Sequence, residues 1–496
     1  MIHGGIKIPT SPLLQSDDGP FHQDMHSTNL KLLLLQFSSA DPRRLFNFSS
    51  GHVGALPIQG HKLTCLLRPE SGMHQAFARK MLSKALGQTL LEAIAPLQHA
   101  KLLARTVLRK LRGRYSVHEI RALTVYSVGS NSPEQDAYIG RLLEQIEEPF
   151  DYITIAGGSL TKSQRSHLVE TLLSPWQITC LCLSLPLQVP LQLYWLLVGV
   201  LRIKGTYERR IFLLFGLQEI ISGRILSQQI AVQAMARHFR QGKTHALLFP
   251  MEGRNWEKCI VKSSKSTCIH SSGYLHCALT PRHLGLLDNE FISPAERPSR
   301  MIAPSEMAYG LLTKAYGDIV RKGYFLRSPR RREGGINRSQ TSLLFALIGD
   351  AGESELIIRQ VASLKNILQQ QLVIRLNPNT ASFLYLKQLT CSLGLLLYTP
   401  QAPVLPQICF FRSSSVAIEY LKQDVRSIYL ALDEPVSNNI FELDNKFGME
   451  SVHVDDALGD NICGLLRKLS PIKGNDIATY YLDENFTAQD LPKLIF

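Results

Sequence analysis

The sequence has few of the residues that mark disulfide scaffolds, metal centres or secreted proteins. Its nine cysteines among 496 residues lie far apart and form no CxxC pair, so a reduced compartment is expected rather than a disulfide framework. No cluster of Asp and His ligands is visible, and we expect no metal. The first residues lack the charged and apolar blocks of a signal peptide.

Charge is sparse and unevenly distributed. Only 19% of the residues are charged, and Lys plus Arg exceed Asp plus Glu by 54 to 41, a net charge of +13. Residues 79–121 contain ten basic and two acidic residues. Such a segment is typical of a solvated helix face, an anionic membrane surface or an anionic substrate. It has no nucleic-acid motif and no interleaved aromatic residues for base stacking, so no nucleic acid is expected as a partner.

One long segment, Leu172 to Leu201, contains no charged residue. Pro175, Pro186 and Pro190 interrupt it, which disfavours a single helix long enough to span a bilayer. We therefore expect buried elements that touch a membrane surface.

The pattern along the chain predicts two α/β domains after a helical N-terminal region. Residues 1–121 are interpreted as a loose lead-in and basic helices, residues 122–325 as a first domain and residues 341–496 as a second. The segment 326–340 contains paired Gly, Pro and five Arg without apolar periodicity, and is interpreted as a linker.

Short apolar runs alternate with helical patterns in both domains, which predicts parallel sheets covered by helices. The predicted strands are 122–128, 151–158, 245–250, 341–349, 372–378, 393–400, 407–412 and 426–433. The predicted helices are 207–240, 305–317 with Ser305 as its N-cap, 353–371, 380–391 and 413–423. Ligands of such sheets bind beyond the carboxyl ends of the strands, so the motifs there matter most.

Two of these motifs lie in the second domain. Three serines, Ser413, Ser414 and Ser415, follow a predicted strand and open a helix, a geometry that suits a phosphate or a plain N-cap. Asn377 follows another strand, where an ordinary turn is the simpler interpretation.

The third motif is FPMEGRNWEK, residues 249–258, in the first domain. Glu252 lies just past a predicted strand, where a catalytic base can stand, and His276 downstream is able to titrate near neutral pH. Glu257 is interpreted as an orienting group, a helix cap or a lysine's partner. Trp256 is expected to form a flat wall for a sugar or to pack in the core.

In this order, the motifs resemble bacterial surface-carbohydrate and capsule biosynthesis glycosyltransferases of the GT-B type, a clan that includes polysialyltransferases, Kdo transferases and glycerophosphotransferases. The resemblance covers residues 205–445. It is carried by the stretches 249–252, 256–257, 273–276, 376–378, 413–419 and 438–441.

The resemblance implies two Rossmann-like domains facing a cleft and a nucleotide-activated, possibly CMP-linked, sugar donor. It implies that Ser413, Ser414 and Ser415 hold the donor phosphate and that Glu252 deprotonates the acceptor. From the residues themselves, His276 is the next candidate base and Glu257 is expected to orient it. Trp256 and Tyr274 are expected to line the substrate. Relatives have His-Pro where this chain has Asn377-Pro378. Asn377 donates a hydrogen bond but carries no charge, and Arg375 on the same strand is expected to compensate.

The expected function is therefore transfer of a sugar to a growing surface polysaccharide or lipopolysaccharide, at the inner face of the cytoplasmic membrane. The acceptor is expected to be lipid-linked or a polysaccharide, and no cofactor beyond the nucleotide-sugar donor is expected. Two alternatives stay open: a glycerophosphotransferase-like enzyme, and a catalytically inactive scaffold of an assembly complex, which Asn377 favours.

Overall fold

The structure is a computed structural model of the chain. The residues it describes are 122–127, 149–154, 166–168, 172–181, 183–184, 194, 197–198, 201, 225–253, 255–276, 278–281, 283–287, 292–323, 337–338, 342–347, 351–377, 383–399, 404–412, 416–432, 439–468 and 473–481. The basic helices expected at 79–121 lie outside the described residues, and so does the serine triplet 413–415.

The first domain is built on a sheet of seven parallel strands in the order β3-β2-β1-β4-β5-β6-β7. The strands are β1 (Leu123–Ser127), β2 (Phe150–Thr154), β3 (Ser166–Leu168), β4 (Ala246–Pro250), β5 (His270–Tyr274), β6 (Arg300–Ala303) and β7 (Val320–Lys322). In the register, Leu123 of β1 lies opposite Phe150 of β2 and Ala246 of β4. Every residue of β1, β2 and β4 is buried, as expected for a parallel sheet covered on both faces.

The described helices of this domain connect the strands. They are α1 (Ile225–Arg240), α2 (Asn255–Lys265), α3 (Leu284–Leu287) and α4 (Glu306–Tyr316). The predicted cap of α4 is confirmed, because the Ser305 hydroxyl accepts the Ala308 N–H at 3.2 Å. Helix α4 therefore begins where the sequence predicted.

The second domain has a six-stranded parallel sheet in the order β11-β10-β9-β13-β14-β15. In chain order its elements are β9 (Ser342–Ala346), α5 (Ala351–Ser363), β10 (Gln371–Arg375), α6 (Phe383–Ser392), β11 (Leu396–Leu397), β13 (Ile408–Phe411), α7 (Val416–Leu421), β14 (Arg426–Ala431), β15 (Ser451–His453), α8 (Leu458–Arg467) and α9 (Gly474–Tyr481). Two further short strands, β8 (Asn337–Arg338) and β12 (Val404–Leu405), pair with each other.

Both sheets have the strand order 3-2-1-4-5-6 when their strands are numbered within the domain, which is the order of a Rossmann fold. The order reverses between β1 and β4 in the first sheet, and between β9 and β13 in the second. The predicted α/β class with two Rossmann-like parallel sheets is confirmed. Beyond the carboxyl ends of β4 and β13 come the two motifs that the sequence singled out.

Three features of the structure were not predicted from the sequence. The segment interpreted as a linker contains β8, which pairs with β12 over its two residues. Helix α5 ends at Ser363 in a 3₁₀ turn, so it is shorter than predicted. The terminal helix α9 packs against α7 and also against α4 of the first domain.

The uncharged segment 172–201 is described only in part. Residues 175–181 are helical and begin at Pro175, a position where proline is favoured because the first helical N–H has no intrahelical partner. Within the part of the chain that the structure describes, none of the helices combines the length and the apolar character needed to cross a membrane.

Candidate functional site

Glu252 and His276 leave the first sheet side by side. Strands β4 and β5 are neighbours in register, with Pro250 opposite Tyr274. The pairing continues one residue further, because the Met251 N–H donates to the Tyr274 carbonyl at 2.8 Å. The next side chains along both strands therefore emerge at the carboxyl edge of the sheet, one strand from its switch point.

The two side chains are in contact. Nε2 of His276 lies 3.3 Å from Oε1 of Glu252, and the side chains are 16% and 10% exposed. Nδ1 of the same imidazole is buried. A ring whose one nitrogen faces a carboxylate and whose other nitrogen is buried is held in a fixed orientation. Both side chains keep a small exposed fraction, so both reach the surface at this edge of the sheet.

Glu257 forms a hydrogen bond with the backbone of Glu252. It lies in the first turn of α2, is 1% exposed, and its Oε2 accepts the backbone N–H of Glu252 at 2.9 Å. A carboxylate in the first turn of a helix also interacts favourably with the helix dipole. Glu257 therefore contacts the backbone of Glu252, and the carboxylate in contact with His276 is that of Glu252.

A glycine in β5 makes room for this arrangement. A Cβ atom built on Gly273 would lie 2.7 Å from Sδ and 3.1 Å from Cβ of Met251, the residue before Glu252. Real side chains do not approach that closely, so a larger residue at 273 would displace Met251. The absence of a side chain at Gly273 therefore allows Met251, the residue before Glu252, to pack closely against β5.

A buried charge cluster lies beneath the pair, and the sequence did not indicate it. Lys258 and Glu257 are each 1% exposed, and Glu296 is 8% exposed. Burial lowers the pKa of Lys258 to about 8, while the nearby Glu296 and Glu257 carboxylates act in the opposite direction. The sequence suggested only that Glu257 pairs with a lysine. The contribution of Glu296, 38 residues later, has no local signal.

The two aromatic residues expected to line the substrate belong to the core. Trp256 is 4% exposed and makes an edge-to-face contact with Tyr126, at 5.3 Å between ring centroids. Tyr274 is fully buried. Because neither ring presents a face to solvent, the expected substrate wall is corrected to a packing role.

The second domain has a buried ion pair at its own switch point. Arg412, directly after β13, is fully buried, and its Nε donates to Oε2 of Glu353 at 2.9 Å. The same guanidinium donates to the Tyr429 hydroxyl and, at 3.3 Å, to the Leu430 carbonyl. Arg412 therefore ties the end of β13 to the first turn of α5 and to β14. Sequence reasoning missed this pair, although an arginine directly after an apolar strand was visible.

Arg375 and Asn377 lie at the end of β10. The Arg375 guanidinium stacks over the Tyr398 ring at 4.9 Å, and its Nη1 is 3.7 Å from Oε2 of Glu419 on α7. Its side chain is 28% exposed, so part of the guanidinium remains open to a ligand. Asn377 is half-buried two residues beyond the strand.

The positions of Ser413, Ser414 and Ser415 lie outside the described residues, but both flanks are described. Arg412 is fixed by its ion pair, and α7 begins at Val416, directly after the triplet. The residues on both sides of the triplet are thus placed, and the phosphate-binding role of the three serines stays a prediction. Among the described residues there is no group of three His, Cys, Asp or Glu side chains placed to hold a metal ion.

No family model matches the sequence, and no curated protein matches it. Solved structures do show similarity in fold. Acinetobacter baumannii MurG is 9% identical with a TM-score of 0.41, over 76% of this chain and 99% of that one. A UDP-N-acetylglucosamine 2-epimerase is 11% identical with a TM-score of 0.40, over 74% and 93%. HepE from Anabaena, in complex with UDP and glucose, is 9% identical with a TM-score of 0.36, over 75% and 94%.

Proposed function

We propose that this protein is a glycosyltransferase that moves a sugar from a nucleotide-activated donor to a hydroxyl group of an acceptor. The observation that carries the proposal is the contact between Glu252 and His276 at the carboxyl edge of the first sheet. A carboxylate with one histidine neighbour, beside the switch point of a Rossmann-like sheet, is suited to general-base chemistry on a bound ligand.

The reaction is a direct displacement at the anomeric carbon. Glu252 takes the proton of the acceptor hydroxyl while the acceptor oxygen forms its bond to that carbon. The bond from the carbon to the donor phosphate breaks, and the nucleotide leaves with the electron pair. His276 keeps the carboxylate oriented, and Glu257 fixes the backbone that carries it.

The nucleotide is assigned to the second domain. Ser413, Ser414 and Ser415 come between β13 and α7, where hydroxyls and helix N–H groups meet a phosphate favourably. Arg375 adds a positive charge at the end of β10, two strands from β13, and Asn377 adds an amide donor. The buried pair of Arg412 with Glu353 holds the chain leading into the serines.

The resemblance in sequence motifs supports a finer proposal. The donor is a nucleotide sugar, with CMP as the proposed nucleotide, and the acceptor is a lipid-linked or polysaccharide chain of a surface polysaccharide or lipopolysaccharide. We place the enzyme at the inner face of the cytoplasmic membrane, with residues 79–121 against anionic lipid. Transfer of a glycerophosphate unit is the second candidate, because the same phosphate-binding serines would serve both donors.

The test replaces Glu252 by Gln, which removes the base at nearly constant shape. Turnover with an accepted donor should fall about 10²–10⁴-fold, whereas nucleotide affinity should stay unchanged. Asp318→Asn is the control, since that exposed carboxylate lies just before β7, at the amino edge of the sheet and away from the site. Turnover near the wild-type value in Glu252→Gln would place the base elsewhere.

A further inference from the structure

A cavity lies on the helical face of the first domain. It has a volume of about 810 Å³, within the ~300–1,000 Å³ of ordinary ligand pockets. Its polar lining comes from Ser174, Gln177, Gln233, Arg237, Arg240 and Ser263. Two arginines and no acidic residue among the lining residues give the cavity a positive character suited to an anion.

The first turn of the helical residues 175–181 forms part of the cavity wall and accepts a hydrogen bond from Arg237. Ser174 and Gln177 cap the helical residues 175–181 reciprocally. The Gln177 N–H donates to the Ser174 hydroxyl at 3.2 Å, and the Ser174 N–H donates to the Gln177 side chain at 2.9 Å. The same Gln177 oxygen accepts a hydrogen bond from Nη1 of Arg237. Arg237 is therefore already oriented along the cavity wall before any ligand arrives.

This cavity is separate from the Glu252 site. Helix α1 precedes β4 and runs antiparallel to the strands, so its last residues, including Arg237 and Arg240, lie at the amino edge of the sheet. Helix α2 starts at the carboxyl edge near Glu257, and Ser263 is six residues, or ~9 Å, further along its axis. The arginines thus lie toward the opposite edge from the proposed chemistry.

Exposed apolar side chains surround the capped helix start. Trp176 lies between the two capping residues and is 72% exposed. Cys180 and Leu183 follow at positions i+4 and i+7, on the same side of the helical residues, and both are exposed. Leu197 and Leu201, later in the same uncharged segment, are 56% and 75% exposed. Large exposed apolar residues concentrated in one segment indicate an interaction surface.

We propose that the cavity binds the phosphate of an anionic phospholipid headgroup. Arg237 and Arg240 contact the phosphate, and the exposed side chains of Trp176 and Leu183 enter the boundary between headgroups and acyl chains. A tryptophan side chain is stable at the level of the lipid headgroups because its ring is amphipathic. The site does not depend on the proposed transfer reaction, and it supplies a defined lipid contact in addition to any attraction by residues 79–121.

Vesicle binding tests this site with the full-length protein. Vesicles of phosphatidylcholine alone are compared with vesicles that also contain phosphatidylglycerol, in cosedimentation. The variant Arg237→Gln/Arg240→Gln should bind the anionic vesicles about thirtyfold more weakly, because each basic residue near the surface contributes about fivefold. The control variant Lys314→Gln/Arg321→Gln loses two exposed charges elsewhere in the domain and should bind like the wild type.

Trp176 provides a second readout. Its emission should shift to shorter wavelength when anionic vesicles are added, and this shift should be absent in Trp176→Phe. Equal binding by the arginine variant and the wild type would overturn the proposal. Equal weakening in the control variant would show that only overall charge matters, and would overturn it too. If inorganic phosphate protects the fold through Arg237 while vesicles do not bind, the ligand is a soluble phosphate and the lipid assignment fails.

Discussion

Replacing Arg412 by Met should destabilise the second domain selectively. The substitution leaves the Glu353 carboxylate, 1% exposed, in the interior without the guanidinium that it contacts at 2.9 Å. Removing one partner of a buried ion pair typically costs ~3–5 kcal/mol, because the remaining charge is left uncompensated. The lost bonds to Tyr429 and Leu430 place the expected value toward the upper end of that range.

Two further variants separate the pair from simple loss of packing. In Arg412→Met/Glu353→Leu both charges are gone, so most of the lost stability should return, since an apolar replacement of a buried pair is often neutral. Arg359→Met is the control. Arg359 lies on the same helix, α5, but its pair with Glu355 is exposed, and breaking it should cost at most ~0.5 kcal/mol.

The assay is urea denaturation followed with two signals. All three tryptophans, Trp176, Trp195 and Trp256, precede the second sheet, so tryptophan fluorescence follows the first domain. Far-UV circular dichroism follows both domains. Arg412→Met should lower the midpoint of a transition seen by circular dichroism and leave the fluorescence transition in place. Equal loss of stability in the single and double variants would refute the reasoning, because it would show no coupling between the two charges.

Two more predictions concern the first domain. Gly273→Ala should lower the stability of the first domain by ~1–3 kcal/mol, because the added methyl group clashes with Met251. Turnover should also fall, because Met251 directly precedes Glu252 in the chain. A free energy of unfolding equal to that of the wild type would contradict this prediction. Lys258 has a folded pKa of about 8 against 10.5 for an ordinary lysine, so the unfolded state binds more protons between those pH values. Stability should therefore rise from pH 8 to 10.5, by at most ~3 kcal/mol, in the wild type but not in Lys258→Met; an equal rise in both would contradict the assignment.

The architecture was largely predictable from local sequence signals. Buried parallel strands are continuous apolar runs, so β4, β9, β13 and β14 were recognisable, and Ser305 marked the start of α4. Beyond Asp433 no local pattern predicted β15, α8 or α9. Strand β15 has only three residues, too few for a periodic signal.

The candidate site was predictable in its members but not in its contacts. Glu252 and His276 were singled out because each follows a strand, and neighbouring strands bring such residues together. Which glutamate contacts His276 depends on side-chain direction after the strand end, which spacing does not determine. The role of Trp256 was wrong for a similar reason, since an aromatic residue near a strand end suits a core and a binding wall equally.

Pairs between distant parts of the chain could not be predicted. Arg412 and Glu353 are 59 residues apart and meet only because β13 lies next to β9 in the sheet. Burial lowers the pKa of Lys258, and the Glu296 carboxylate, 38 residues later in the chain, acts in the opposite direction. Neither contact has a periodic signal, because each one results from the strand order.

The central claim is that the second domain binds a nucleotide through the serines between β13 and α7. Calorimetric titration of the wild type, Glu252→Gln and Ser413→Ala/Ser414→Ala/Ser415→Ala with UDP, GDP and CMP tests it most directly. At least one nucleotide should bind the wild type and Glu252→Gln equally. The serine variant should bind it at least ~100-fold more weakly, since each lost hydrogen bond to a charged group costs ~1.5–3 kcal/mol. If none of the three nucleotides bound the wild type, or if the serine variant bound a nucleotide as tightly as the wild type does, nucleotide binding through these serines would be contradicted.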